Sequence, residues 1–147
     1  MGLIADLGRG PVGLDTAVFI YFIEEHSLYL PRIEPIFAAI AAGRLQAVTS
    51  ALTLLEVLVV PYRAGDTALA NRYEGLLTRS LGLRAIALDR SQLRAAAQLR
   101  AVYPKLRTPD ALQLAAALTT RCGALVTNDR ELPTVPGLEV MQLAGNS

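Results

Sequence analysis

An α/β fold built on a parallel sheet is what this sequence of 147 residues predicts. Three observations carry that expectation. Short apolar runs alternate with helix-length segments, the pattern of strand–helix–strand crossovers. Several of the short runs stop on a hydroxyl or a carboxylate, where open parallel sheets bind ligands. Hydrophobic residues make up 52% of the chain and aromatics only 5%, so one core of Leu, Ala, Val and Ile is readily supplied. A chain of this size buries roughly 68–70% of its unfolded surface. With no repeat, low-complexity run or linker, residues 1–147 read as a single domain. Within it, residues 1–10 read as a frayed or partner-bound extension and 144–147 as a mobile tail.

The first strand spans 12–14 and stops at Asp15. A helix follows over 16–23, closed by the polar loop Glu24-Glu25-His26-Ser27. His26 is the only histidine and reads as a surface or cap residue. Pro31 opens the next helix in its first turn. There Ile33, Ile36, Phe37, Ile40 and Ala41 form a helical stripe that Gly43 ends. Residues 45–49 read as the second strand, Ser50 as a cap, and 52–60 as a helix stopped at Pro61.

An amphipathic helix then covers 66–81, with Arg72, Glu74 and Arg79 on its polar side and Gly82 as breaker. The third strand, 83–88, ends on Asp89, which caps a helix reaching about Tyr103. Arg90 and Arg94 share one face of it, either solvated or meeting phosphate. Thr108 reads as the next cap, Pro109 as the first helical residue and Asp110 as a first-turn acid. The rest of that helix is almost entirely Ala and Leu, small enough to lie close on the sheet. The fourth strand, 123–127, runs into Thr127-Asn128-Asp129-Arg130, and 138–143 forms a last, edge-like strand.

Four acids stand out in this order. Asp15 and Asp129 directly follow strands, Asp110 opens a helix, and Glu56 sits in the apolar run Leu54-Leu55-Glu56-Val57-Leu58. Each has an ordinary reading. Asp15 caps a helix, Asp110 complements a helix dipole, Asn128-Asp129 makes a turn, and Glu56 completes a capping box with Thr53. Ser50 is a rival cap, and if it prevails Glu56 is interior to the helix and costly to bury unpaired. A parallel sheet brings all four acids toward one edge. Carboxylates massed there repel and hold protons unless a cation is present. Hard divalent ions take such oxygen ligands, and Mg²⁺ adds water and phosphate oxygens. A site of that kind hydrolyses phosphodiesters, with one ion or with two about 3.5–4 Å apart.

Composition narrows the remaining classes. Net charge is +1, and Lys105 is the only lysine among 14 basic residues. With four acids committed to a site, the rest of the surface is basic by five, compatible with a phosphate backbone. The single cysteine, Cys122, reads as a small core residue; no internal disulfide can form, which suits a reducing cytoplasm. Mean hydropathy is +0.37, yet no apolar run is long enough to span a membrane and no signal-peptide pattern opens the chain. Part of the apolar surplus is therefore expected to cover a partner. There is no Gly-rich phosphate loop, CxxC pair or His-rich motif. A phosphotransferase with an Asp nucleophile on the first strand would want a second Asp where Ala17 stands.

On Leu14-Asp15-Thr16, Glu56, Thr108-Pro109-Asp110-Ala111 with its Ala-rich helix, and Thr127-Asn128-Asp129, the chain resembles the PIN-domain family, specifically the VapC-type ribonuclease toxins. The resemblance implies a three-layer α/β/α sandwich around a mainly parallel sheet of four to five strands. It implies that Asp15, Glu56, Asp110 and Asp129 bind Mg²⁺ or Mn²⁺, and that the Thr127 hydroxyl positions a ligand or water. The implied activity is metal-dependent endoribonuclease cleavage in the cytoplasm. The implied partners are RNA, a second copy of the chain and a small VapB-type antitoxin. Two departures accompany it: the ten residues before the first strand, and Glu131, whose membership of the site is open. The alternative is a PIN-like module that binds RNA or protein without cutting.

Overall fold

The structure is a computed structural model and describes Leu7 and residues 10–144. Five strands form one fully parallel sheet: β1 (Val12–Leu14), β2 (Ala47–Ser50), β3 (Leu83–Ile86), β4 (Ala124–Thr127) and β5 (Glu139–Gln142). Their order is β3-β2-β1-β4-β5. The chain steps outward from β1 through β2 to β3, then returns to the other side of β1 for β4 and β5. The direction reverses between β1 and β4, and the carboxyl ends there are where such sheets bind ligands.

Period-two alternation sorts the core into two faces. Val12, Leu14, Ala47, Ala124 and Val126 point to a large cluster built with four helices. These are α1 (Thr16–Ile23), α2 (Leu30–Ala41), α3 (Leu52–Arg63) and α4 (Thr67–Arg79). The intervening Val48 and Leu125 point the other way, to α5 (Arg90–Val102) and α6 (Thr108–Thr119). The three layers and the parallel sheet are those expected from the sequence.

Several local expectations need correcting. Pro61 does not stop α3, which continues to Arg63. A proline forfeits only its own backward hydrogen bond, and Pro61 is buried. The turn comes at Gly65 (φ +68°), and the Pro61 carbonyl accepts from the Asp66 amide at 2.8 Å. Thr108 is the first residue of α6 rather than its cap; its hydroxyl accepts from Arg100 Nη1 at 3.0 Å, and the flanking position is Arg107. The Thr53 capping box does not form either. Ser50 Oγ accepts from the Leu52 amide at 3.2 Å, leaving Glu56 inside α3. β3 stops at Ile86, short of the expected end at residue 88.

Other readings hold. Asp66 and Asp89 cap α4 and α5 by accepting from Leu69 N and Gln92 N. His26 Nδ1 accepts from the Leu28 and Tyr29 amides in a turn. Cys122 is buried. Of the N-terminal extension, expected to be frayed or partner-bound, only Leu7 and Gly10 are described, and Leu7 departs from that reading by packing into the core. Beyond Ala144 the tail lies outside the described residues.

The Ala-rich helix does lie close on the sheet. Residues Ala111 through Ala117 of α6 are all buried. Gly13 in β1 allows the approach: a Cβ there would sit 2.9 Å from Leu125 Cδ1 and 3.2 Å from Ala117 Cβ. Gly13→Ala is therefore expected to destabilise the fold by about 1–3 kcal/mol, the usual cost of overpacking. Urea denaturation measures it; an unchanged midpoint would mean that this contact does not limit how closely α6 packs.

Candidate metal centre

β1 delivers the first acid. The Asp15 amide still pairs with the Val126 carbonyl at 3.0 Å, so its backbone is the last rung of the sheet. Asp15 Oδ1 then accepts from Thr16 N at 2.7 Å and caps α1. Oδ2 accepts from Thr127 Oγ1 at 2.6 Å. Capping and placement at the cleft are thus properties of one side chain. Thr127 itself is fully buried, and its hydroxyl also accepts from the Asp129 amide at 3.0 Å. It stands behind Asp15 and ties the ends of β1 and β4 together.

The other acids arrive from three directions. Glu56 comes from α3 and accepts from Thr16 Oγ1 at 2.6 Å. Asp110 comes from the first turn of α6. Asp129 follows β4, where its Oδ1 accepts from Glu131 N and its carbonyl from Gln142 Nε2 on β5. All four line one cleft of about 490 Å³, with Thr16, Tyr21, Gln113 and Asn128 among its walls. Glu131 does not line it; with Lys105 and Tyr103 it borders a separate, more apolar hollow.

Electrostatics follow from this crowding. Burial and then the Asp129 and Asp15 charges push the Asp110 carboxyl up to about 6, against the opposing pull of Arg107. Burial raises Asp15 as well, opposed by its hydrogen bonds from Thr127 and Thr16 and reinforced by Asp129. Arg107 is the one cation lining the cleft among the described residues. Its Nε lies 3.4 Å from Asp110 Oδ2, while its side chain is 73% exposed. An exposed pair of this kind offsets little of the repulsion.

Among the described residues, no three Asp, Glu, His or Cys side chains are drawn together closely enough to hold an ion as they stand. The donor set nevertheless suits a hard divalent cation. Every candidate ligand is a carboxylate oxygen, burial and neighbouring acids make two of them hold protons more tightly than usual, and Mg²⁺ binds through one or two carboxylates with water completing its shell.

Sequence reasoning missed Arg107, Gln113 and the Thr16–Glu56 bond. Gln113 left one trace: it is the lone strongly polar residue in the buried stretch Ala111 through Ala117. Such a side chain needs partners. It also lies three residues after Asp110, on the same side of the helix.

The acids at the carboxyl ends of β1 and β4 frame the comparison with known proteins. The family model for the PIN domain matches residues 12–138. The chain belongs to the PIN-domain family. Solved structures of similar fold include VapBC2 from Rickettsia felis bound to a DNA fragment from its promoter. That match has 18% identity, covers 90% of this chain and 98% of that one, and has a TM-score of 0.68. A toxin–antitoxin complex from Klebsiella pneumoniae matches at 22% identity, 88% and 95% coverage and a TM-score of 0.65. DNA-bound VapBC from Salmonella typhimurium matches at 22% identity, 92% and 99% coverage and a TM-score of 0.61. At these identities the likeness is one of fold. No match was found among curated proteins.

The raised Asp110 gives a pH signature for the metal-free PIN domain. An acid whose folded-state value lies above its unfolded one favours folding when protonated, and that advantage is lost as pH rises from about 4 through 6. Asp110→Asn is expected to gain thermal stability over the parent across that window and to keep the gain, level, above it. Melting curves in EDTA between pH 4.5 and 7.5 test this; a difference independent of pH would contradict the crowding.

Proposed function

We propose that this PIN domain is a divalent-metal-dependent endoribonuclease of the VapC type, the toxin of a toxin–antitoxin pair. The observation that carries the reading is the meeting of Asp15, Glu56, Asp110 and Asp129 in one cleft where the sheet reverses its order. Mg²⁺ or Mn²⁺ would be held by the acids of this cleft, Asp15, Glu56, Asp110 and Asp129. Bound there, the cation supplies positive charge to phosphate oxygens and acidifies water for attack at phosphorus.

The chain's own groups then have defined tasks. Thr127 and the Thr16 amide fix both oxygens of Asp15, so this carboxylate meets its ligand preorganised. Asp110 is free of its proton above about pH 6 and becomes a full anion at neutral pH. Arg107, exposed at the rim, offers its guanidinium to a phosphate of the RNA chain.

An antitoxin partner is supported by α3. Leu55, Val59 and Tyr62 fall at i, i+4 and i+7, are exposed, and flank the acid at Glu56. An apolar face beside a catalytic cleft suits a VapB-type segment that covers both. A second copy of the chain belongs to the same reading. No helix among the described residues is long and apolar enough to cross a membrane, and the free Cys122 suits a reducing cytoplasm.

The purified protein is expected to cut RNA with Mg²⁺ or Mn²⁺ and to stop in EDTA. Asp15→Asn and Asp129→Asn are each expected to lower kcat by more than the ~10–100-fold that loss of a metal's supporting partner costs. A broad RNA panel read on sequencing gels, with calorimetry for Mg²⁺, checks this. Neither cutting nor metal binding would favour a module that holds RNA or protein without cleaving it.

A further inference from the structure

We infer that Gln113 is a positioning residue that aims the Glu56 carboxylate at the cleft through the Thr16 hydroxyl, an inference resting on the metal-dependent reading of this site. Gln113 is only 3% exposed and joins four elements. Its Oε1 accepts from the Ser50 amide at 3.1 Å, and from Thr49 Oγ1 at 3.3 Å. Its Nε2 donates to Thr53 Oγ1 at 2.7 Å and to Thr16 Oγ1 at 3.3 Å. The Ser50 N–H can only donate, so the orientation of the amide is not free to reverse.

That orientation fixes the protons. Both threonine hydroxyls accept from Nε2, so each must send its own proton elsewhere. Thr53 Oγ1 lies 3.1 Å from Thr16 Oγ1 and 2.7 Å from Thr49 Oγ1, either of which can take its proton. Thr16 gives its proton to Glu56 Oε1 at 2.6 Å. The Glu56 carboxylate accepts in any case; what Gln113 adds is a donor that holds the Thr16 hydroxyl in place and leaves its proton for Glu56. Glu56 sits in the second turn of α3 on a long, flexible side chain, and Thr16 is its one hydrogen-bond partner among the described residues. A plain buried amide would satisfy its neighbours and end there; this one continues to a cleft acid.

Calorimetry with Mg²⁺ alone, steady-state RNA cleavage and melting in EDTA test the inference on the full chain. Gln113→Met is expected to weaken Mg²⁺ binding by ~10–100-fold, the usual cost of removing an outer-shell partner. It is expected to lower kcat while leaving KM for RNA unchanged. In the Glu56→Gln background, Gln113→Met is expected to cause no further loss of Mg²⁺ affinity, because its effect passes through Glu56. Thr16→Val, which removes the hydroxyl between Gln113 and Glu56 without altering Gln113, is expected to give the same non-additive pattern and serves if the methionine variant does not fold. Equal losses in both backgrounds, or unchanged Mg²⁺ affinity, would overturn the inference while the nuclease stands. A parent protein that binds no Mg²⁺ would instead remove the nuclease reading and this one with it.

Discussion

The structure depends on a buried polar knot at the carboxyl end of its sheet. Thr49 on β2, Thr53 on α3, Thr16 on α1 and Gln113 on α6 meet in an interior that is mostly Ala, Val, Leu and Ile. An unpaired buried donor or acceptor costs roughly 1–3 kcal/mol, so such a group is stable only when complete. Here each member has a partner, and the knot joins helices from both faces of the sheet. Apolar contacts alone tolerate sliding; hydrogen bonds of fixed polarity do not. The knot therefore ties α1, α3 and α6 to one another beside Asp15, Glu56 and Asp110.

The cleft works against this order. Burial and like charge hold Asp110 and Asp15 above the ordinary carboxylate range, opposed at Asp110 by one exposed arginine and at Asp15 by two hydrogen bonds. Capping by Asp15 and the first-turn place of Asp110 favour folding, but the crowding of the acids does not. Such a local conflict is what functional or strained sites show. The supports around it are correspondingly rigid: Asp15 is held at both oxygens, and Asp129 is tied to Thr127 on one side and Gln142 on the other.

Much of this was legible in the sequence because it is local. The strand ending at Leu14, the crossover pattern and the Pro109–Asp110 helix start follow from neighbouring residues, and the sheet order then carries Asp15 and Asp129 to one edge. What was not legible is long-range or divided between competing local rules. Gln113 finds partners 60 and 97 residues away, which periodicity does not encode. Ser50 and Thr53 both fitted a cap, and only the packing of α3 assigned Thr53 to the knot. Pro61 looked like a stop, yet near a helix end burial outweighs the one missing hydrogen bond. Arg107 looked like loop because its role depends on the turn that brings it beside Asp110.

The tie between Thr127 and Asp15 spans 112 residues. On a ribosome, Asp15 waits for those 112 residues to follow before its partner strand exists. An unfinished chain can hold β1, β2 and β3 and still have no cleft, since one wall of it is made last. Synthesis thus withholds the cleft until β4 takes its place beside β1.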